Sequence, residues 1–535
     1  MCDMNGFHKN NGDAEPRLGP SKRSGTVPSF KAMTMLTKAW ELEAQGRSIM
    51  HLEAGQPRTG APSKVIEASR KMLDDKVLGY TPAAGVLALR ERIAQHYKEK
   101  YDVEVQANRV VVTTGSSGGF PLIFLSQFDV GDRVAVASSS YPCYRNVLNA
   151  LGCEVMTIPT DDQYKVTAGA VVRFVNSLKE EKKGVGANNK PHSKLNRPLK
   201  GLILSSPSNP TGTMLSPEEI KDMVKVCEER GIAFISDEIY HGICYDKVAQ
   251  TALAYSDQCY VINSFSKFYS MTGWRLGWMV VPEHMVEPIK CLAMNFFISA
   301  PTLSQLSAAV AAFECEDELM KHVKMYKTNR EILWRVRCRP QYNVVRPSKR
   351  GKYALYVWAV VLTCSSKRVG YGACEGLSRF LCNRSALTVL LLERDLSRCI
   401  YSYYALNKAN PVCNADGLSM KLLPTLSMTF ASLSVSTSQG LSSIGFTNIA
   451  PSDGGFYMYV DVSELVEDST VLAADMLEEA GVAVTPGVDF EDPSTDLGLR
   501  HVRFSFCGST DDINEAVIRL RHWWGGYAKR KQLAM

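Results

Sequence analysis

No apolar run in this sequence reaches the ~20 residues that a membrane-spanning helix needs. The most apolar stretch, residues 353–364, falls well short. The first 29 residues are polar and rich in Gly, Asn, Lys and Pro, so no signal peptide is expected. Fifteen cysteines are present, yet none forms a C-x-x-C pair or a Cys/His cluster at zinc spacing. A chain of 535 residues has no need of a disulfide framework, and free thiols in a reducing compartment are expected, with no metal site. An excess of one charge is also missing. Lys and Arg number 61 against 55 Asp and Glu, and much of the +6 balance comes from two local basic stretches. That excludes an extended nucleic-acid surface. What remains is a soluble cytoplasmic protein, long enough for one large and one smaller domain.

Residues 1–28 read as a disordered arm. Over residues 29–46 the apolar positions Phe30, Met33, Leu36, Ala39, Trp40 and Leu42 recur at near-helical spacing. Residues 49–52 then form a strand that runs into Gly55-Gln56-Pro57. Amphipathic helices follow at 62–73 and 87–97. From there β-rich runs at 109–113, 133–137, 202–204, 232–235, 260–262 and 277–281 are mostly separated by helical stretches such as 120–128 and 217–230. This rhythm predicts an α/β domain around a mostly parallel sheet. Residues 441–524 mix strands (456–460, 501–506) with helices (469–480, 511–523), as a smaller α+β domain would.

Two stretches break the rhythm. Residues 182–200 are basic and contain Gly, Asn and Pro, like a surface insertion. Residues 335–439 hold six of the fifteen cysteines, many serines, few acids and no sustained helical or alternating period. They read either as an inserted subdomain or as translated non-coding sequence, and their composition favours the second. The flanks, 29–333 and 441–524, read as parts of one protein.

The chemistry-bearing residues stand at strand ends. Ser264-Phe265-Ser266-Lys267 follows the run at 260–262. A lysine held there can form an imine with a carbonyl if a nearby cation or desolvation lowers its pKa. Arg275, eight residues on, supplies a cation and a fork suited to phosphate. Ser236-Asp237-Glu238-Ile239-Tyr240 follows the run at 232–235, and Asp237 alone reads equally as a helix cap. Pro207-Ser208-Asn209-Pro210-Thr211-Gly212 alone is a turn before a helix. Gly115-Ser116-Ser117-Gly118-Gly119, between a strand and a helix, makes an anion site of backbone N–H groups but lacks dinucleotide-fingerprint spacing.

Together these segments resemble the pyridoxal-phosphate (PLP)-dependent aminotransferases of class I/II, fold type I. That family's signature, Ser-x-Ser-Lys followed by Gly-x-Arg-x-Gly-Trp, is matched in full by residues 264–267 and 273–278. The resemblance covers roughly 29–333 and 441–524. It implies a PLP-transferase fold, with a large domain built on the mostly parallel sheet and a small α+β domain made from both chain ends. Lys267 would carry the cofactor as a Schiff base and move the substrate's α-proton. Asp237 would pair with the pyridine nitrogen and keep the ring protonated, so that it can absorb electrons. Tyr240 and Asn209 would hydrogen-bond the phenolic oxygen, favouring the phenolate. Gly115, Ser116, Ser117, Ser264 and Arg275 would hold the phosphate, and Tyr141 would stack on the ring, although a lone tyrosine is otherwise core packing. Tyr80 would reach the phosphate of a neighbouring subunit, implying a homodimer with shared sites. Arg503, with Gly55 and Asn209, would bind the substrate α-carboxylate.

The expected activity is transfer of the amino group of an L-amino acid to a 2-oxo acid such as 2-oxoglutarate or pyruvate. Two alternatives share these residues: a PLP-dependent lyase (carbon–sulfur lyase or cyclopropane-carboxylate-synthase-like), and a non-catalytic PLP-binding regulator. The latter would carry a DNA-binding domain, for which residues 1–28 are too short and polar. No second arginine can be assigned to a side-chain carboxylate, so aspartate specificity is unsupported.

Overall fold

The computed structural model describes residues 19–75, 77–180, 197–334, 357–362, 382–383, 386–392, 440–441, 446 and 448–534. The expectations for 1–18, 181–196 and the remainder of 335–439 lie outside these. The chain divides into two compact units, Met1–Arg337 with Ser438–Met535, and Cys338–Thr437.

In the first unit a short strand β1 (Met50–His51) precedes the seven strands of the main sheet. These are β2 (Val110–Thr113), β3 (Arg133–Ala137), β4 (Glu154–Ile158), β5 (Leu199–Ser205), β6 (Ala233–Asp237), β7 (Tyr260–Ser264) and β8 (Gly277–Val280). Their order is β2-β8-β7-β6-β5-β3-β4. Only β8 runs antiparallel to its neighbours. The continuous apolar runs read from the sequence are these strands, and their alternate residues feed two cores. Val112, Ala135, Leu202, Leu204, Val261 and Trp278 pack on one face. Val111, Val134, Ile203, Ile235, Ile262 and Met279 pack on the other. A strand buried on both faces has no polar alternation to show, and each such side chain contributes ~1.5–3 kcal/mol on burial.

The helices between strands carry their own start signals. Pro217–Glu229 begins with a capping box, in which the Glu219 amide donates to Ser216 Oγ (3.2 Å) and the Ser216 amide to Glu219 Oε2 (2.7 Å). Strand β4 at the sheet edge was not expected from the sequence. Of its five residues only Ile158 is buried, so it shows neither a hydrophobic run nor a clean alternation.

In the second unit, β9 (Val357–Leu362), β10 (Cys382–Asn383) and β11 (Ala386–Leu392) form an antiparallel sheet ordered β10-β11-β9, with Leu387 opposite Leu362 and Leu392 opposite Val357. No alternation shows in these residues because β9 is a continuous apolar run and β11 is one but for Thr388.

The first unit continues with β12 (Asn448–Ile449), β13 (Tyr457–Asp461), β14 (Val482–Ala483), β15 (Thr485–Pro486) and β16 (His501–Ser505). A four-stranded sheet has the order β12-β13-β16-β15, and β1 pairs in parallel with β14, Met50 opposite Val482. One core joins residues from both sides of the second unit in sequence, Tyr326, Ile332 and Leu333 with Leu441, Phe446 and Phe456. Eight described cysteines are free. Among the described residues, no helix is long and apolar enough to cross a membrane. Residues 19–28 of the expected disordered arm include a 3₁₀ turn, Ser24–Thr26.

Candidate active site

The carboxyl ends of β2, β5, β6 and β7 lie at one edge of the main sheet, since β8 runs against both β2 and β7 and the others run together. Ligands of open α/β sheets bind at this edge. The turns leaving these strands carry Gly115, Asn209, Asp237 and Lys267. They open into a cavity of about 340 Å³.

Two glycines shape the turn beside it. Gly115, at φ +70°, follows β2 by two residues, and the helix Ser116–Gln127 starts directly after it. A Cβ on Gly115 would fall 2.5 Å from Arg275 Nη2, so the guanidinium lies against the helix N-terminus. A Cβ on Gly277 would fall 2.8 Å from both Gly115 C and Ser116 N. Only a residue without one lets β8 pass beneath that turn. Arg275 itself has φ +53° and its Nη1 donates to Thr272 O (2.9 Å). Backbone amides and a cation are thereby gathered where an anion is stabilised.

Lys267 is half-buried, and its Nζ donates to the Gly55 carbonyl (2.5 Å). Burial pulls the amine down from 10.5 to about 8. Arg503 and Arg275 push the same way, against Cys507 and Asp237. Asp237 ends β6 and is 3% exposed. Its carboxylate accepts the Tyr144 hydroxyl and the Ile239 amide (3.1 Å). Burial raises it to about 6, with those donors and Lys267 opposing, so it is largely ionised at neutral pH. Tyr240 is buried with its hydroxyl 2.8 Å from that of Tyr457. Tyr141 lines the cavity, its ring 5.5 Å from Tyr144 and 5.8 Å from Phe30.

Arg503 rises from β16 into the same cavity. Nη1 donates to Asn209 Oδ1 (2.9 Å) and Nη2 to Glu53 O (2.5 Å), while Tyr457 and Phe490 present ring faces 4.4 and 4.6 Å from its Cζ. Its Nε is buried without a partner among the described residues. An orphaned guanidinium N–H is costly unless a ligand takes it.

The cavity wall thus holds Lys267, Asp237, Tyr240, Asn209, Ser116, Ser117, Tyr141, Arg275, Gly55 and Arg503, all expected from the sequence, with Gly115 beside them. Ser264, also expected at the phosphate, lies one layer deeper. It is 1% exposed and does not line the cavity. Its Oγ donates to Leu276 O (2.9 Å) and accepts the Ser266 amide (3.1 Å), tying the turn together, and Ser266 is the serine at the wall. Tyr80 is 82% exposed and lines a separate groove with Ser299 and Thr302.

Other wall residues were not expected. Tyr144 and Tyr457 reach the site as hydrogen-bond partners of Asp237 and Tyr240. Phe30, Ala32, Met33 and Leu36 close one side. They belong to the helix Lys31–Ala44 and the residue before it. The Lys31 and Ala32 amides each donate to an Asp489 carboxylate oxygen at 2.9 Å. On the same helix Ala39 and Leu42, with Met35 against them, pack on Ile49, Leu477 and Ala483, while Trp40 is exposed. The helical period in the sequence therefore marked two surfaces, a core contact and a cavity wall.

Comparison with known proteins agrees with this geometry. The profile of aminotransferase class I and II matches residues 47–341. The chain is 34% identical over 499 residues to the valine–pyruvate aminotransferase of Mycobacterium tuberculosis, covering 93% of this chain and 96% of that one. An aminotransferase crystal structure from the same organism superposes with a TM-score of 0.68 at 33% identity, covering 95% of this chain and all of that one. A putative aminotransferase from Silicibacter pomeroyi gives 0.65 at 35% identity over the same shares. Neither the lyase nor the regulator reading has a counterpart among these three. The chain belongs to the class I and II aminotransferases, PLP-dependent enzymes that transfer amino groups, and has their α/β fold.

Proposed function

We propose that pyridoxal 5'-phosphate binds in this cavity through an imine with Lys267, and that the enzyme moves the amino group of an apolar L-amino acid to a 2-oxo acid. The observation that carries the reading is Lys267 itself. A lysine amine brought to about 8 stands between a buried carboxylate, Asp237, and two arginines. The orphaned Arg503 Nε and the Gly115 turn against Arg275 also fit the group and its substrate. When bound, the cofactor supplies an electron sink for the substrate's Cα.

The protein's residues divide the remaining work. Asp237 would face the ring nitrogen and keep it protonated. Tyr240 and Asn209 would donate to the phenolic oxygen, Tyr141 would cover the ring, and Ser116, Ser117, the Gly115 turn and Arg275 would take the phosphate. Arg503 binds the α-carboxylate with its fork, helped by Asn209 and the Gly55 backbone. This fixes the substrate's Cα beside Lys267, whose neutral amine takes the α-proton and returns it at the far end of the transfer.

The donor's side chain meets Phe30, Met33, Leu36 and Ile239. Among the described residues the cations on the wall are Lys267, Arg275 and Arg503, each already employed. That supports an apolar donor, as does the relative named for valine and pyruvate.

A homodimer with shared sites completes the reading. Val77 and Tyr80 are strongly exposed, as are Met294, Phe296, Phe297 and Ile298. Thr302 Oγ1 donates to Gly79 O (2.5 Å), joining the two segments. Phe297 approaches Gly118, just behind the phosphate turn. Such an apolar patch calls for a partner, and a second copy would carry its Tyr80 toward this phosphate. The eight free thiols suit a reducing compartment, hence the cytoplasm.

The test is the absorbance spectrum of purified protein with pyridoxal phosphate, before and after L-valine or L-aspartate. A visible band that fades with valine and returns with pyruvate or 2-oxoglutarate is expected. A band that persists while 2-oxo acid and ammonia accumulate would overturn transamination. A band that responds only to aspartate would overturn the apolar donor.

A further inference from the structure

One side chain that no motif singled out touches three of the groups assigned above. Tyr457, on β13, is 2% exposed, and its hydroxyl is 2.8 Å from that of Tyr240. Its ring lies 4.4 Å from Arg503 Cζ. A Cβ built on Gly55 would fall 1.8 Å from its hydroxyl oxygen, so that oxygen presses on the Gly55 Cα, whose carbonyl holds Lys267. Tyr457 comes from the four-stranded sheet, whereas Tyr240 and Lys267 leave the main sheet.

Its backbone is fixed as tightly. Tyr457 pairs with Ser505, two residues from Arg503, and Ser452 Oγ donates to Tyr457 O (2.7 Å). A Cβ on Gly212 would fall 3.2 Å from Tyr457 O and 2.9 Å from Ser452 Cα, so the turn after Asn209 packs directly on this segment. Gly212, at φ +68°, is what permits that approach.

We propose that Tyr457 is a positioning residue that sets the strength of the Tyr240 hydrogen bond to the cofactor's phenolic oxygen and links it to the carboxylate held by Arg503. Tyr240 has one hydroxyl proton. When that proton goes to the cofactor, the Tyr240 oxygen is left to accept from Tyr457 at 2.8 Å. A donor that itself accepts is a stronger donor, by roughly 10–30%. A stronger donor stabilises the phenolate and lowers the pH at which the lysine–cofactor linkage loses its proton. The Tyr457 ring meanwhile stays against Arg503, so a carboxylate that moves the guanidinium moves the tyrosine too. The inference rests on PLP occupying this cavity.

The test titrates the visible band of the PLP-loaded enzyme. Tyr457→Phe is expected to raise its pH midpoint by about 0.2–0.5, which is 10–30% of a charge-assisted hydrogen bond. KM for the donor should hardly change, because the ring remains over Arg503. Tyr457→Leu removes the ring too and should raise KM as well. Tyr240→Phe should shift the midpoint further than Tyr457→Phe, and Tyr457→Phe made in that background should add nothing. An unchanged midpoint in Tyr457→Phe, with Tyr240→Phe shifted, overturns the proposal, as does a Tyr457→Phe shift that survives intact without the Tyr240 hydroxyl. Should Tyr457→Phe fail to fold, Tyr457→Leu, which lacks the same hydroxyl, must show the upward shift. If wild-type enzyme gives no band at all, the cofactor reading itself fails. A band without the shift sinks only the role of Tyr457.

Discussion

Replacing Lys267 with methionine should abolish the enzyme and stabilise the cofactor-free protein. Burial is the main cause that brings the amine from 10.5 to about 8, Arg503 and Arg275 adding to it. That difference corresponds to about 3 kcal/mol of penalty on the protonated lysine in the fold. The unfolded chain keeps its proton up to 10.5. The penalty is therefore fully present below pH 8 and disappears as pH rises from 8 to 10.5. Methionine fills similar volume without charge, but it leaves the Gly55 carbonyl without its donor, which costs about 1 kcal/mol. The net gain at pH 7 is about 1–2 kcal/mol. Urea unfolding of the stripped protein at pH 7 and near pH 10.5 measures it. A gain at pH 7 that vanishes or turns into a loss of up to about 1 kcal/mol at high pH is expected. A gain of equal size at both, or a loss at pH 7, would refute the reasoning. The strained amine has a use: at pH 7 the neutral, nucleophilic fraction is about 300-fold larger than at an unperturbed lysine.

Arg503→Lys keeps the charge but loses the fork that spans Asn209 and Glu53, so kcat/KM for α-carboxylate donors should fall ~10–100-fold in steady-state assays while the visible band of bound cofactor persists. Glu238 is fully buried, and burial pushes its carboxyl to about 8, against hydrogen bonds from Ala252 N, Thr251 and Ser236. The folded chain holds that proton from 4.5 to about 8, so stability is lost as pH rises through this range. Glu238→Gln should be more stable by ~1–3 kcal/mol at pH 8 and show little gain at pH 4.5 by urea unfolding. A chain lacking residues 338–437 should still fold and show the cofactor band, because the core that spans this gap in sequence uses Leu333 on one side and Leu441 on the other. Insoluble expression would count against it, and a transcript retaining the whole segment would count against a non-coding origin.

The cavity wall was legible wherever a strand delivers a reactive residue type. In the proposed reaction lysine for the imine, aspartate for the ring nitrogen and arginine for the carboxylate cannot be exchanged freely, and the buried strands that deliver them are plain apolar runs. Orientation was less legible. Ser264 was picked out by its place in the motif, but its hydroxyl donates to Leu276 O, and the serine that lines the cavity is Ser266, two residues on. Tyr457 lies on a strand the sequence announces. Which face of that strand meets the site is settled by its pairing with β16, Tyr457 opposite Ser505 and Tyr459 opposite Arg503. Alternation shows that neighbours point opposite ways but not which way is in.

The surroundings of Arg503, the proposed carboxylate site, show where local reading stops. Arg503 is aimed by Glu53 O and Asn209 Oδ1, 450 and 294 positions away in sequence, with Thr485 Oγ1 at 3.3 Å from Nη2 and itself donating to Glu53 O. None of these contacts exists until β1 has paired with β14 and the four-stranded sheet has formed. The arginine can be picked out as a type, but its geometry is a product of three chain segments closing on one another. A substitution that loosens that closure, such as Thr485→Val, should therefore weaken substrate binding without touching the lysine, the phosphate turn or the ring-nitrogen carboxylate. Measured KM should rise while the visible band of the bound cofactor stays unchanged. A loss of the band instead would mean that the cofactor pocket depends on the same closure, and that the two halves of the site are not separable.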